Sequence, residues 1–342
     1  MHIDSIDIAP YRIALQRPLR LAGRDVCERE GFLLKIFSQG ALGMGDVAPL
    51  PGFSAETLTE ARENVLALGL EGADVAVGGL ASSAEIPALD NALPSVRFGI
   101  ECALLELAAK QQLGLDSNPF DRRPRPIAVN ALLTEPSVDA FLQLVEQGYT
   151  CIKIKVGRDD GSQDMHFLHS LSGQIDPGVS LRLDANRAWS QAEAQAFVEA
   201  LPALPLMYIE EPCVHVRDSL KLAQTHGVPI ALDESLISMD EQDLARLDKV
   251  AAFVIKPTLC GGVCAAVRLA RAARECGAQP VISAAFESAE GLRALVFLAD
   301  ALMTPAVAAG LDTWQWLGED ISASGVTTDG PTMHVMDRGG SA

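Results

Sequence analysis

The sequence lacks two features that would place it in a membrane or outside the cell. No apolar run reaches the ~20 residues needed to span a bilayer. The first residues have neither the basic nor the apolar region of a signal peptide. We therefore expect no membrane partner and a cytoplasmic location.

Positive charge is also scarce. The 27 Lys and Arg residues stand against 45 Asp and Glu residues, which gives a formal net charge of −18 at pH 7. Because surfaces that bind nucleic acid are basic, this balance excludes a nucleic-acid partner. An anionic substrate would have to be held by local cations or by a metal ion.

The seven cysteines contain no Cys-x-x-Cys pair. Most of them lie inside apolar strand or helix patterns, which is typical of reduced core cysteines. Since the ligand spacing of a zinc site is missing as well, we expect neither structural zinc nor a redox centre.

The first third of the chain has a mixed α+β pattern. Strand-like runs cover residues 3–15 and 31–38, and Ser54 is placed to begin a helix that continues to about residue 70. A second helix is predicted over about 95–113, before a proline-punctuated linker at 121–126. We predict an α+β capping domain over residues 1–122, joined by the C-terminal tail 314–342, and a barrel domain over 123–313.

After the linker, short apolar runs alternate with amphipathic helical stretches. Seven such units are present, with a weaker eighth run near residues 306–310. This alternation predicts a parallel sheet closed into a (β/α)7β-type TIM barrel with the N-terminal α+β capping domain. An open doubly wound sheet is the alternative, and the lack of a Gly-x-Gly-x-x-Gly turn disfavours it.

Charged residues follow or end five successive predicted strands. They are Lys153 and Lys155, Asp184, Glu210, Asp233 and Lys256. Each step corresponds to one strand-plus-helix unit, so these side chains share the carboxyl-terminal rim of the barrel, where barrel enzymes build their active sites. Taken singly, an acidic residue before a helix is also typical of a helix N-cap or a surface charge. The joint order favours an active site.

Three carboxylates that converge in a confined site need a cation among them. Oxygen ligands alone favour Mg²⁺, with Mn²⁺ also suitable, over zinc. Asp184, Glu210 and Asp233 are therefore the candidate metal ligands. A lysine beside a metal and other cations loses proton affinity, so we expect the catalytic lysines to act as bases near neutral pH.

This order of lysine pair, Asp, Glu, Asp and lysine resembles the enolase superfamily, and its Lys-x-Lys pair resembles the muconate-lactonising subgroup. Finer matches resemble the o-succinylbenzoate synthase family, and they lie at 45–54, 182–189, 210–213, 254–259, 281–283, 287–288 and 310–313. The resemblance spans about residues 43–313. Three features depart from the expected patterns. Asp46 stands where many relatives have Glu, Ala284 and Ala285 replace serines, and no Asp-x-Asp begins at Asp312, which weighs against a dipeptide substrate.

The resemblance implies a lyase that dehydrates 2-succinyl-6-hydroxy-2,4-cyclohexadiene-1-carboxylate to o-succinylbenzoate in menaquinone biosynthesis. It implies that Lys155 removes a proton beside the carboxylate, that Lys256 stabilises the enediolate and that Lys153 tunes Lys155. The variant with Lys256 as the base stays open. Substrate contacts are predicted at Asn186, Ser283, Gly310, Pro51, Gly52 and Phe53. Loops around 21–24 and 49–53 are expected to close over the succinyl chain.

Other functions stay open from sequence. Within the superfamily, an N-acylamino acid racemase (including N-succinylamino acids) would use the same two lysines. A metal-free Schiff-base aldolase would use one of them as a nucleophile, and a non-catalytic binding barrel is the third alternative. The expected partner is a small-molecule carboxylate, and the sequence is compatible with a monomer or a homo-oligomer.

Overall fold

The computed structural model describes residues 1–21, 24–78, 86–158, 161–318 and 325–336. Its first part is an antiparallel sheet of three strands in chain order, β1 (Ser5–Leu21), β2 (Arg24–Ser38) and β3 (Ala41–Val47). Two helices follow, α1 (Leu58–Ala67) and α2 (Pro94–Lys110), with a short 3-10 helix at Pro87–Leu89 between them.

Helix α1 begins three residues later than the sequence predicts. Its N-cap is Thr57, whose hydroxyl accepts a hydrogen bond from the Glu60 backbone, while the Glu60 carboxylate accepts one from the Thr57 backbone. This reciprocal capping box satisfies two backbone donors at once. The Ser54 hydroxyl instead accepts from the Leu50 backbone at 2.8 Å, so the prediction of Ser54 as N-cap was wrong.

Helix α2 is buried on nearly all sides because it lies between the three-stranded sheet and the barrel. Strand β3 packs on it through Gly43 and Gly45, and a Cβ at either position would lie about 2 Å from a carbonyl oxygen of α2. This close approach requires glycine. The sheet, α1 and α2 thereby enclose their own apolar core.

The barrel contains seven parallel strands that neighbour one another in chain order. They are β5 (Ala131–Leu133), β6 (Cys151–Lys155), β7 (Ser180–Asp184), β8 (Leu206–Glu210), β9 (Ile230–Leu232), β10 (Val250–Ile255) and β11 (Gln279–Ile282). The intervening helices are α3 (Val138–Glu146), α4 (Ser162–Leu171), α5 (Gln191–Ala200), α6 (Val216–His226), α7 (Glu241–Ala245), α8 (Pro257–Cys260), α9 (Gly262–Glu275) and α10 (Ala289–Leu302). A short 3-10 helix at Glu234–Ser238 precedes α7.

The segment 309–310 closes the barrel. Ala309 forms a parallel bridge with Val129 just before β5, and Gly310 forms one with Ser283 just after β11. A Cβ on Gly310 would lie 2.5 Å from the Ser283 hydroxyl, so this contact needs glycine. The predicted seven units with a weak eighth strand are confirmed.

The C-terminal tail contacts both parts of the molecule. A 3-10 helix at Asp312–Trp316 is followed by Leu317, which bridges to Leu15 of β1. Beyond it, the hairpin β12 (Val326–Asp329) and β13 (Thr332–Val335) pairs with β4 (Ile127–Ala128) at the start of the barrel. The described tail residues thus contact both the cap and the barrel, and the predicted domain division, with the tail 314–342 joined to the capping domain, stays a prediction.

Two buried carboxylates of the first part bind the N-termini of barrel helices. Asp46 accepts from the Ser288 backbone at 2.8 Å, at the start of α10. Glu101 accepts from the Cys264 backbone at 3.0 Å, in the first turn of α9. Helix N-termini carry partial positive charge, so these contacts fix the cap on the barrel.

Within the described ranges, no helix is long and apolar enough to cross a membrane. The seven cysteines are all free thiols, as expected.

Candidate active site

Strand register places the predicted charged residues in a row. In the parallel pairing of β6 with β7, Lys155 lies opposite Asp184, and in the pairing of β7 with β8, Asp184 lies opposite Glu210. Lys153 lies two residues before Lys155 and therefore shares its face of the strand.

Each of the three carboxylates is held by a lysine. The Lys153 ammonium lies 2.7 Å from Asp184 Oδ2 and 2.8 Å from Glu210 Oε1. Lys155 donates to the same Asp184 oxygen at 2.7 Å. On the far side, Lys256 pairs with Asp233.

The neighbouring charges shift the pKa of Lys153 and of Lys256. Burial lowers the pKa of Lys153, but Asp184, Glu210 and Asp233 outweigh burial and hold that pKa well above its ordinary value. Burial also lowers the pKa of Lys256, but the negative charges of Asp233, Glu234 and Glu210 together outweigh burial and hold that pKa above its ordinary value. Carboxylates rather than cations are the nearest charges of these two lysines, and the expected loss of proton affinity, which concerned a lysine beside a metal ion, stays a prediction.

Apart from Asp233, these residues border a cavity of about 580 Å³ at the carboxyl ends of the strands. The predicted contacts Asn186, Ser283, Gly310 and Phe53 line it, as do the three lysines, Asp184 and Glu210. Asn186 also accepts from Lys155 at 2.5 Å and donates to Glu234 at 3.0 Å.

Pro51 and Gly52 do not line this cavity. They form the exposed tip of a turn in which the Leu50 carbonyl accepts from the backbone of Phe53 and Ser54. This turn directs Leu50 and Phe53 inward instead. Of the other predicted loop, around 21–24, residues 22–23 lie outside the described residues.

An apolar cluster beside the cavity joins the two parts of the molecule. Its buried members are Leu19, Leu50, Leu259, Ala285 and Trp316. Leu19 and Leu50 come from the cap, Leu259 and Ala285 come from the barrel, and Trp316 comes from the C-terminal tail. The cap therefore covers part of the cavity mouth with apolar surface that excludes water.

Sequence reasoning missed Arg182. This residue is 1% exposed, and its guanidinium donates to Asn130 Oδ1 and to the Ala308 carbonyl, both at 2.8 Å. It lies two residues before Asp184 on the same strand and also lines the cavity. Residues two apart on a strand share one face, so the reasoning that related Lys153 to Lys155 also predicts that Arg182 lies on the same face as Asp184.

Asp312 was also missed as a cavity residue. It accepts from the Tyr149 hydroxyl at 3.1 Å, from Gln315 at 2.7 Å and from the Leu132 backbone at 3.3 Å. Burial raises the pKa of the Asp312 carboxyl to about 6. The sequence signal for this residue was its place in the family-like stretch 310–313, which assigned it no contact with the cavity.

Glu211 binds the backbone next to one candidate metal ligand, Asp233. It adopts a positive φ of 40° and is fully buried. Its carboxylate accepts from the backbone of Asp233 at 2.9 Å and from the backbone and hydroxyl of Ser235, both at 2.8 Å. Glu211 therefore fixes the backbone that carries Asp233, and the strained conformation is held by these bonds.

The donor set fits a divalent cation. All three candidate ligands are carboxylates, and Asp184 and Glu210 already share one positive charge, that of Lys153. Glu210 Oε2 is buried and, among the described residues, has no hydrogen-bond partner. Each carboxylate lies against a lysine. In the part of the chain that the structure describes, no three His, Cys, Asp or Glu side chains lie close enough together to surround an ion.

Comparison with known proteins agrees with this geometry. A family model described as Enolase C-terminal domain-like matches residues 137–341, and one described as MenC, N-terminal domain matches residues 4–107. The L-Ala-D/L-Glu epimerase from Bacillus subtilis has a TM-score of 0.81 at 22% identity, over 98% of this chain and 97% of that one. At this identity the likeness shows the fold alone. Fold and family models together define an enolase-superfamily protein.

Relatives with higher sequence identity show which family within the superfamily the chain belongs to. The o-succinylbenzoate synthase of Pasteurella multocida (strain Pm70) is 36% identical over 317 residues, which are 91% of this chain and 89% of that protein. The structure of o-succinylbenzoate synthase from Thermosynechococcus elongatus BP-1, complexed with Mg in the active site, has a TM-score of 0.72 at 27% identity, over 93% of this chain and 95% of that one. The chain belongs to the o-succinylbenzoate synthase family.

Proposed function

We propose that this chain is a carbon–oxygen lyase that dehydrates 2-succinyl-6-hydroxy-2,4-cyclohexadiene-1-carboxylate to o-succinylbenzoate. The observation that carries the proposal is the placement of Lys155 and Lys256 on opposite sides of one cavity, with the carboxylate set on the strands between them. A reaction that removes a proton beside a carboxylate needs a base on one side and positive charge around the carboxylate.

Asp184, Glu210 and Asp233 would hold a divalent cation, for which we propose Mg²⁺. When bound, the cation supplies positive charge that offsets the negative charge building on the substrate carboxylate. Mn²⁺ has the same preference for oxygen ligands and would support the same role.

Lys155 is the proposed base. Its amine takes the proton from the ring carbon next to the carboxylate, which leaves an enediolate, and the same group then protonates the departing hydroxyl, which leaves as water. Asn186, which accepts from Lys155 at 2.5 Å, orients the ammonium between these two transfers. Lys153, two residues earlier on the same face of the strand, adds positive charge beside the substrate carboxylate.

Lys256 acts as an electrostatic partner from the opposite side. Its raised pKa keeps the group positively charged at neutral pH, which suits stabilisation of an enediolate better than proton abstraction. The same shift argues against a Schiff-base aldolase that would use Lys256, since an imine forms only from a neutral amine.

The test is dehydration of the cyclohexadiene substrate, followed by absorbance, with Mg²⁺ and with chelator. We expect metal-dependent turnover that Lys155→Ala lowers by about 10²- to 10⁴-fold, the range typical of a lost general base. Lys221→Ala, at an exposed lysine on α6, is the matched control and should turn over like the wild type. A folded, metal-loaded wild-type protein that gives no turnover would refute the proposal.

Racemisation of N-acylamino acids is a second candidate, because two lysines on opposite sides of a carbon acid can each serve one enantiomer. The test is exchange of the α-hydrogen of an N-succinylamino acid with D₂O, followed by NMR. Exchange of one enantiomer that only Lys155→Ala abolishes, and of the other that only Lys256→Ala abolishes, would establish this activity, and no exchange in the wild type would exclude it.

A further inference from the structure

Arg17 and Trp316 form a stacked pair at the wall of the cavity. The Arg17 guanidinium carbon lies 3.8 Å from the centroid of the Trp316 ring. Trp316 is buried, and the Phe286 ring meets it edge-on at 6.1 Å. A guanidinium stacked on an aromatic face keeps its N–H groups free at the edge, where they can bind a planar carboxylate with two parallel hydrogen bonds.

The backbone next to this pair is fixed across the interface between cap and barrel. Leu15 bridges to Leu317, and the Gly318 amide donates to the Ala14 carbonyl at 2.7 Å. The Gln16 side chain adds a hydrogen bond to the Leu317 carbonyl at 3.3 Å. These contacts lie within three residues of both members of the pair, so Arg17 is held in place before a ligand binds, which lowers the entropy cost of binding.

The more buried cations of the cavity already have partners. Lys153, Lys155 and Lys256 pair with carboxylates, and Arg182 donates to an amide and a carbonyl oxygen. Among the described residues, Arg17 has no acidic partner within ion-pair distance, and its described contact is the Trp316 ring. In a protein with a net charge of −18, such a cation at the cavity wall is suited to an anionic ligand group.

We propose that Arg17, stacked on Trp316, binds the distal carboxylate of a dicarboxylate substrate. This inference rests on the proposed function, whose substrate has a ring carboxylate for the lysine end of the cavity and a second carboxylate at the end of its succinyl chain. The apolar side chains of Leu19, Leu50 and Leu132 line the same cavity and suit the methylene groups of that chain. Arg17 is then a specificity-determining residue, because it strengthens the binding of ligands that carry the second carboxylate.

The experiment compares two probes in wild type and Arg17→Ala. o-Succinylbenzoate carries both carboxylates, and benzoate carries only the one on the ring. We expect Arg17→Ala to weaken o-succinylbenzoate binding, measured by calorimetry, by about 10- to 100-fold, as for a lost charge-assisted hydrogen-bond pair. The inhibition constant of benzoate should stay unchanged, and in turnover KM should rise with little change in kcat.

Three further variants sharpen the comparison. Arg17→Lys keeps the charge but loses the planar fork, so its affinity should lie between wild type and Arg17→Ala. Arg12→Ala removes an exposed arginine five residues earlier on β1, where it pairs with Glu28 and Glu30 outside the cavity, and should bind like wild type. Arg158→Ala removes the other exposed arginine of the cavity wall, which donates to the Lys155 carbonyl.

The outcomes separate the two proposals. Unchanged o-succinylbenzoate affinity in Arg17→Ala overturns the inference, as does an equal loss for both probes or a loss confined to Arg158→Ala. If the wild-type protein turns over the cyclohexadiene substrate and any of these results is found, the proposed function stands and only the proposed role of Arg17 is refuted. A wild-type protein that neither turns over that substrate nor binds o-succinylbenzoate removes both.

Discussion

Replacement of Asp46 by asparagine tests how the cap is attached to the barrel. Asp46 is 1% exposed, and it accepts from the Tyr11 hydroxyl at 2.8 Å and from the Ser288 backbone and hydroxyl at 2.8 and 2.9 Å. Burial nevertheless raises the pKa of this carboxyl from 3.8 to about 6, so desolvation of the charge outweighs its three hydrogen bonds.

The raised pKa fixes the sign of a pH effect. Between about pH 3.8 and about pH 6 the folded protein holds a proton on Asp46 that the unfolded chain has released. The free energy of unfolding therefore falls as the pH rises through this window. Above it the contribution is constant. From the two pKa values, the loss between roughly pH 5.0 and 7.5 amounts to about 1.4 kcal/mol, or about tenfold in the folding equilibrium.

Asparagine does not titrate, so Asp46→Asn should lack this contribution. The amide also replaces an acceptor by a donor toward Ser288, which costs about 1–3 kcal/mol at every pH. The difference in unfolding free energy between wild type and variant, measured by urea unfolding, should therefore shrink by about 1.4 kcal/mol between roughly pH 5.0 and 7.5. Asp7→Asn, at a side chain that is 61% exposed on β1, is the control and should show no such trend. Parallel pH profiles for wild type and Asp46→Asn would refute the reasoning.

Two further predictions concern packing and support of the metal site. Val65→Ala in α1 empties buried volume and should lower the free energy of unfolding by about 2 kcal/mol, while Leu66→Ala, at a side chain 62% exposed, should change it by less than about 0.5 kcal/mol. Urea unfolding checks both, and equal losses would contradict the assigned core. In Glu211→Gln an amide nitrogen replaces the oxygen that accepts from the Ser235 hydroxyl and from Arg187, so the segment that carries Asp233 is held less firmly. Mg²⁺ affinity, measured by calorimetry, should then fall by about 10- to 100-fold, and unchanged affinity would contradict the role of Glu211.

Much of the site was readable from local sequence because a parallel barrel repeats one unit. Each unit places its strand end at the same rim, so the order Lys155, Asp184, Glu210 and Lys256 was enough to predict a shared cavity. The eighth strand at 309–310 was readable for the same reason, although it is too short to carry a strong pattern.

Other features depended on segments that are far apart in sequence. The direction of the lysine pKa shifts follows from how many carboxylates surround each ammonium, which strand order alone does not give. Leu50, rather than Pro51 or Gly52, lines the cavity, and this depends on which backbone groups close the loop by hydrogen bonds. Thr57 rather than Ser54 begins α1 because only Thr57 has a glutamate three residues later to complete the capping box.

The sequence by itself determined the barrel, its charged rim and the family resemblance, since each is encoded by neighbouring residues with a regular period. Only the tertiary structure decided how the cap meets the barrel, where Asp46 reaches Ser288 and Arg17 stacks on Trp316. Such pairs join residues more than two hundred positions apart, and no local propensity specifies them. They form because folding buries the apolar surface between cap and barrel, which brings these polar groups to the same place.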